Sequence, residues 1–139
     1  MKRTRQIIPI LIILLSSFLV NSCSKEKIQQ NIIVDAVTNG RWLVTQFTEG
    51  TTDVTSEFTP FEFQFYENGK VDAINGSTIT SGTWTANVDA KTISSTFPGT
   101  NTTLNRLNDT WKIFNSSLTL VEANPLNTSR VAYLKMNKK

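Results

Sequence analysis

The chain of 139 residues contains 14 lysine and arginine residues, 11 aspartate and glutamate residues, one cysteine and no histidine. The lack of histidine removes the commonest general base and metal ligand, and a lone cysteine excludes an internal disulfide. Three of the basic residues lie within the first five positions, which leaves 11 basic against 11 acidic residues and argues against a nucleic-acid partner.

Residues 1–22 have the pattern of a secretory signal peptide. Lys2, Arg3 and Arg5 precede an apolar run over 7–20, which is shorter than the roughly 20 residues that a spanning helix needs. The segment Val20-Asn21-Ser22-Cys23 resembles the lipobox of bacterial lipoproteins, with a small residue just before the cysteine that takes the lipid. The resemblance implies cleavage before Cys23, lipid attachment there, and a place in the bacterial envelope at the outer membrane. The alternative is a buried free cysteine in an ordinary signal peptide.

Residues 23–37 form a polar tether followed by a predicted short helix. Ile28, Ile32, Ile33, Ala36 and Val37 are spaced for one helical face, and the following 39–40 Asn-Gly pair is a stop signal. The alternative is an extended linker.

From residue 38 onward the apolar residues recur with a period of two, which predicts strands. The clearest is Phe61-Glu62-Phe63-Gln64-Phe65, where the three phenylalanines share one face, and an Asn-Gly turn follows it. A helical turn is predicted around Leu104 and Leu107. Eight strands are predicted, over 41–47, 61–66, 71–74, 78–86, 91–97, 110–114, 118–121 and 130–136.

The short links between these strands favour an antiparallel meander. No helix of crossover length separates the strands, which excludes parallel pairing. Eight strands are enough to close a small barrel, and closure removes unpaired edges. We therefore predict an all-β fold for 38–139, a small antiparallel eight-stranded up-and-down barrel with a short N-terminal helix. A β-sandwich is the rival, although it usually needs longer connections than the two over 48–57 and 98–109.

Several motifs in order resemble a known family. The Gly40-Arg41-Trp42 start is similar to the Gly-x-Trp start of lipocalins. The segments 63–71, Gly82-Thr83-Trp84, 111–113 and 118–120 follow the spacing of lipocalin-like domains in secreted lipoproteins of the Bacteroidota. The resemblance covers about residues 38–137 and implies a lipocalin-like barrel.

A binding site for a small apolar ligand is predicted inside this barrel. Its candidate inward residues are Trp42, Phe61, Phe63, Phe65, Trp84, Phe97, Trp111 and Tyr133, and its polar candidates are Gln46, Ser95 and Tyr133. So much aromatic volume favours a filled or narrow interior, with one narrow pocket near the long 48–57 loop. The residues predicted to bind ligand are Trp42, Gln46, Phe63, Phe65, Trp84 and Tyr133.

The sequence offers no catalytic constellation. The acidic residues Glu57, Glu62, Glu67 and Asp72 are expected to be solvated rather than paired for glycoside hydrolysis. Asp53 and Asp89 lack the ligand spacing of a calcium loop, and nucleophile-elbow and phosphate-loop motifs are missing. We expect no enzymatic activity, no metal and no cofactor.

The function predicted from these patterns is that of a monomeric, lipid-anchored envelope lipoprotein that binds a small apolar ligand. The alternatives are an interaction or structural lipoprotein with a solid barrel that contacts a protein or a glycan, and an inhibitor of a hydrolase. Cavity size separates the first reading from the second, since an eight-stranded barrel is either filled or holds one small ligand.

Overall fold

The period-two pattern of the sequence produces strands at each predicted position. The computed structural model describes residues 34–139, and Cys23 with most of the predicted tether lies outside them. Helix α1 covers 34–38, in agreement with the second half of the predicted N-terminal helix. The other elements are α2 (Thr55–Phe58), α3 (Thr102–Asn105), β1 (Arg41–Glu49), β2 (Thr52–Asp53), β3 (Glu62–Phe65), β4 (Lys70–Asn75), β5 (Thr78–Asn87), β6 (Thr92–Thr96), β7 (Asp109–Ser116), β8 (Leu120–Pro125) and β9 (Ala132–Lys138).

Eight of these strands close into the antiparallel barrel that the sequence predicts. Neighbours in the sheet follow chain order from β3 to β9, and β1 pairs with both β3 and β9. The β1–β9 ladder runs from Trp42 opposite Lys138 to Glu49 opposite Ala132, which seals the sheet. Closure excludes the sandwich alternative. Strand β2 was not predicted; its two residues fold back on the end of β1.

The two ends of the barrel have connections of different length. At the α1 end the strands are joined by short turns over 66–69, 88–91 and 117–119. At the opposite end, the α2–α3 end, the turn over 76–77 is also short, but the connections over 50–61 and 97–108 each contain a helix. This asymmetry closes the α2–α3 end and leaves the α1 end more open.

Aromatic side chains fill the barrel. Phe63 and Trp111 are each 1% exposed, and the predicted inward positions Phe61, Phe65 and Phe97 are buried. Gly82 makes room for the Phe97 ring, because a Cβ atom there would lie 2.9 Å from Phe97 Cδ1 and would collide with the Thr96 carbonyl oxygen.

The α2–α3 end is closed by a hydrophobic plug. Phe58 of α2 stacks on Phe47 with ring centroids 4.9 Å apart, and Phe47 meets Trp111 edge-on at 5.7 Å. Leu104 of α3 is fully buried and Leu107 nearly so. The Asn101 side chain caps α3 by accepting from Leu104 N at 3.1 Å. The predicted helical turn around Leu104 therefore exists and covers this end.

Candidate functional site

The interior of the barrel is too full for a ligand. It contains a cavity of about 30 Å³, comparable with one or two water molecules and well below the 300–1,000 Å³ of ordinary ligand sites. Phe63 and Phe65 line this cavity, as does Ser95, whose Oγ donates to the Leu107 carbonyl at 2.6 Å. The Ser95 hydroxyl, which the sequence predicted to line the barrel interior, is therefore already hydrogen-bonded within the protein.

A much larger cleft, of about 740 Å³, opens at the α1 end of the barrel. It lies between α1, the turn that joins β5 to β6, and the turn that joins β7 to β8. Its described lining combines apolar walls with a polar rim and consists of Ala36, Val37, Trp42, Ala86, Asn87, Val88, Asp89, Lys91, Thr92, Ile113, Phe114, Ser116, Ser117, Leu118 and Val121.

Trp42 forms the floor of this cleft and fixes α1 above it. The indole Nε1 donates to the Val37 carbonyl at 2.9 Å, and the ring is only 2% exposed. Lys138 Nζ lies 5.4 Å from the centre of the Trp42 ring and donates to the Ala36 carbonyl at 2.8 Å. This cation–π contact and these two hydrogen bonds hold α1 across part of the barrel mouth and leave the rest open.

A β-bulge in β7 shapes one wall of the cleft. The register with β8 shifts between Ile113 and Asn115, so Phe114 is an extra residue without a partner. Ile113 and Phe114 therefore both reach the cleft, although they are consecutive. Phe114 is 57% exposed and Leu118, at the tip of the next turn, is 67% exposed. This wall of the cleft therefore presents the apolar side chains of Phe114 and Leu118 to solvent.

The rim opposite is polar and locally ordered. Asn87 Oδ1 accepts from Ala90 N at 2.9 Å, and Lys91 adopts a positive φ of 52° in the same turn. Asp89 and Lys91 bring opposite charges to this rim. An apolar body against Phe114 and Leu118 with a polar end at this rim is the arrangement that the cleft accommodates.

The six residues predicted to bind ligand do not come together. Trp42 lines the cleft, whereas Phe63 and Phe65 lie in the core. Trp84 is also core, meeting Phe65 edge-on at 5.3 Å and donating from Nε1 to the Tyr66 carbonyl at 2.8 Å.

Gln46 does not face the interior, contrary to the sequence-based prediction. The register between β1 and β9 shifts between Val44 and Gln46, and this bulge turns Phe47 inward and leaves Gln46 exposed. Simple alternation from Trp42 therefore assigns Gln46 to the wrong face.

Tyr133 also lies on the outer wall rather than inside. Its neighbours Ala132 and Leu134 are buried, so the alternation of β9 directs Tyr133 outward. Its hydroxyl donates to Glu122 Oε1 at 2.5 Å, and its ring lies 6.2 Å from that of Phe114. Burial, together with the hydrogen bond to the Glu122 carboxylate and its negative charge, raises the pKa of Tyr133 to about 12.

An ion-pair network covers the end of the barrel beside the 48–57 loop, where the sequence predicted a narrow pocket. Arg130 bridges Glu49 at 2.5 Å and Asp109 at 2.8 Å, while Arg106 pairs with Glu49 and, at 3.3 Å, with Glu57. Glu57, expected to be solvated, is therefore engaged. The network ties β1, α2, α3 and the 126–131 loop over the hydrophobic plug.

Among residues 34–139, Asp72 is the acidic residue that is buried, and neighbouring side chains donate hydrogen bonds to its carboxylate. It is 3% exposed on the outer side of β4 and accepts from Ser81 Oγ at 2.6 Å and Lys70 Nζ at 3.0 Å. Burial disfavours its charged form, but the hydrogen bonds from Ser81, Lys70 and Tyr66 outweigh that cost and lower the pKa. Within 34–139 no group of three or more acidic residues is placed to hold a metal ion.

None of the helices in the described part is long and apolar enough to cross a membrane.

Comparison with known proteins supports the fold and leaves the function open. No protein-family model matches the chain, and no curated protein matches it. The crystal structure of a DUF4847 family protein from Bacteroides vulgatus ATCC 8482 is similar, with a TM-score of 0.55 and 14% identity. The similarity covers 77% of this chain and 97% of that one. The likeness shows a shared barrel fold of a kind that occurs in the Bacteroidota.

Proposed function

We propose that this protein is a non-enzymatic, lipid-anchored envelope lipoprotein that binds a small apolar molecule in the cleft at the α1 end. The observation that carries the proposal is the contrast between this cleft of about 740 Å³ and the interior cavity of about 30 Å³. The volume of the cleft falls within the range of ordinary ligand sites. Binding between strand ends and α1 replaces the interior binding expected from the sequence.

The chemistry of the cleft favours a short or flat apolar molecule with one polar end. Ile113, Val121 and Leu118 supply apolar surface, and Trp42 lies buried beneath them at the cleft floor. The side chains of Asn87 and Thr92 at the rim can bind a hydroxyl or carboxyl group. Burial of apolar surface would drive binding, and the rim would orient the ligand.

Titration with a fluorescent fatty acid tests this site. Trp42 lies at the cleft floor, so energy transfer from tryptophan should report saturable binding. The variant Leu118→Asp should weaken binding about tenfold, because it places a charge on the apolar wall. Leu118 is 67% exposed, so the barrel should remain folded.

Leu126→Asp is the matched control, since Leu126 is 52% exposed at the opposite end of the barrel. Its affinity for the fatty acid should equal that of the unmodified protein. Equal losses in both variants would show that the probe binds elsewhere. A complete lack of saturable binding would favour the alternative function, an interaction protein, which the filled interior and the exposed Phe114 and Leu118 also suit.

The anchor is tested separately. Cys23→Ser should release the protein from the membrane fraction, because two or more acyl chains bind a bilayer far more firmly than any single weak contact. If the variant still sediments with membranes after a salt wash, the lipoprotein part of the proposal is wrong, whatever the cleft binds.

A further inference from the structure

The chain from the proposed anchor arrives at the same end of the barrel as the cleft. Val34 begins the described part of α1, which lies across the barrel mouth through the contacts of Trp42 and Lys138. Positions 23 and 34 are separated by 11 residue steps, which span at most about 40 Å even when fully extended. A lipid on Cys23 therefore keeps the α1 end within that distance of the bilayer.

Charges are distributed unequally between the two ends. Among residues 34–139, six of the nine lysine and arginine residues lie at the α1 end, where the acidic groups are Asp35, Glu62, Glu67, Asp72 and Asp89. Glu62 pairs with Arg41 and Lys139, and Asp72 pairs with Lys70. The α2–α3 end carries Glu49, Asp53, Glu57 and Asp109 against the two arginines of its ion-pair network. The cations of the α1 end are Arg41, Lys70, Lys91, Lys112, Lys138 and Lys139.

Exposed apolar side chains lie among these cations. Leu118 is 67% exposed at the tip of the 117–119 turn, and Phe114 is 57% exposed beside it. Lys91 lies in the 88–91 turn, and Lys112 lies on β7, where its Nζ donates to the Ala90 carbonyl. Exposed apolar side chains with basic residues beside them are typical of surfaces that contact anionic lipid, where each basic residue near the surface contributes attraction.

We propose that the α1 end docks on an anionic lipid surface, with Leu118 and Phe114 in the interface and the cleft open toward the bilayer. The proposal rests on the anchor at Cys23 described above. It also identifies the source of the cleft ligand, an amphiphile that enters from the membrane without crossing water. The acidic α2–α3 end then faces away from the bilayer.

Fluorophores attached at the two ends test this orientation. Leu118→Cys and Leu126→Cys are labelled on the lipidated protein, in which Cys23 no longer presents a thiol, and both positions are exposed in the barrel. The protein is reconstituted into vesicles of phosphatidylcholine and phosphatidylglycerol that contain a headgroup-quencher lipid. Quenching at 118 should exceed that at 126 by about threefold at low salt, and the difference should shrink as salt screens the attraction.

A charge reversal supplies the matched control. Lys91→Glu should reduce quenching at 118, whereas Lys135→Glu, on the outer wall beside Glu122, should leave it unchanged. Protein that floats with the vesicles but shows equal quenching at 118 and 126 overturns the docking and leaves the anchor intact. Protein that does not float overturns the anchor itself. A label at 118 that is already shielded before vesicles are added indicates a second copy or residues 24–33 on this face, and also overturns the docking.

Discussion

The two ends of the barrel differ in how their connections close them. At the α2–α3 end, the links over 50–61 and 97–108 are long enough to fold a helix over the opening, and Phe58 and Leu104 fill it. At the α1 end, the turns over 66–69, 88–91 and 117–119 are too short to reach across. The comparison shows that loop length, rather than strand composition, determines which end of this barrel is closed and which stays open.

The electrostatics of the ends follow the same division. Arg106 and Arg130 lock the long loops of the α2–α3 end with ion pairs that are about a quarter exposed. At the α1 end Lys91 is exposed, Lys139 pairs with Glu62 at the surface, and Lys138 holds α1. The ion pairs of the α2–α3 end thus hold its long loops over a closed opening, whereas the α1 end stays open and presents Lys91 and exposed apolar side chains outward.

The largest expected effect comes from removing one phenylalanine ring at each end. Phe58→Ala should lower the free energy of unfolding by about 3–5 kcal/mol, because Phe58 is 1% exposed and stacks on Phe47. Phe114→Ala removes the same atoms from a ring that is 57% exposed and should cost less than about 1 kcal/mol. Urea denaturation of both variants measures the difference. Similar losses would show that the α1 end is packed as tightly as its opposite.

A smaller effect is expected from the arginines. Arg130→Gln should cost about 1–3 kcal/mol, because it leaves Glu49 and Asp109 without their shared partner and removes a cation 5.2 Å from the Trp111 ring. Arg41→Gln is the control at the α1 end. It breaks an ion pair with Glu62 whose arginine is half exposed, and should change the thermal midpoint little.

High salt provides an independent check on the arginines. If the Arg130 network is only a surface ion pair, salt should abolish the difference between Arg130→Gln and the unmodified protein. If the difference in stability between Arg130→Gln and the unmodified protein persists at high salt, Arg130 also stabilises the packing of the loops over the hydrophobic plug.

The barrel could be predicted from the sequence because its signals are local. The Phe61, Phe63 and Phe65 stripe, the Asn-Gly turns and the short links each fix a strand or a hairpin without reference to distant residues. All eight predicted strands occur, with bounds that differ by a few residues. The two-residue strand β2 was missed, since it depends on folding back against β1.

The candidate site could not be predicted in the same way because it depends on register. Bulges in β1 and β7 move Gln46 outward and bring Phe114 beside Ile113, and nothing in the local alternation marks either bulge. The long 48–57 loop suggested a pocket, but its charges meet Arg106 and Arg130, which lie far along the chain. Such pairings become visible only once the barrel is closed.

The smallest predicted effect concerns the outer side of the cleft wall, where Tyr133 backs the Phe114 ring. Its pKa of about 12, against an ordinary value of 10.0, means that the folded protein favours the neutral phenol. This contribution to stability is fully present below about pH 10 and is lost as the pH rises through 12.

In a phenolate absorbance titration, Tyr133→Phe should remove the step near pH 12. Glu122→Gln should move that step toward pH 10, since it removes the neighbouring negative charge. A step that stays in place in Glu122→Gln would mean that burial alone raises the pKa of Tyr133. The wall beside the cleft would then be more tightly packed than its exposed Phe114 indicates, and the contrast between the two ends would be correspondingly weaker.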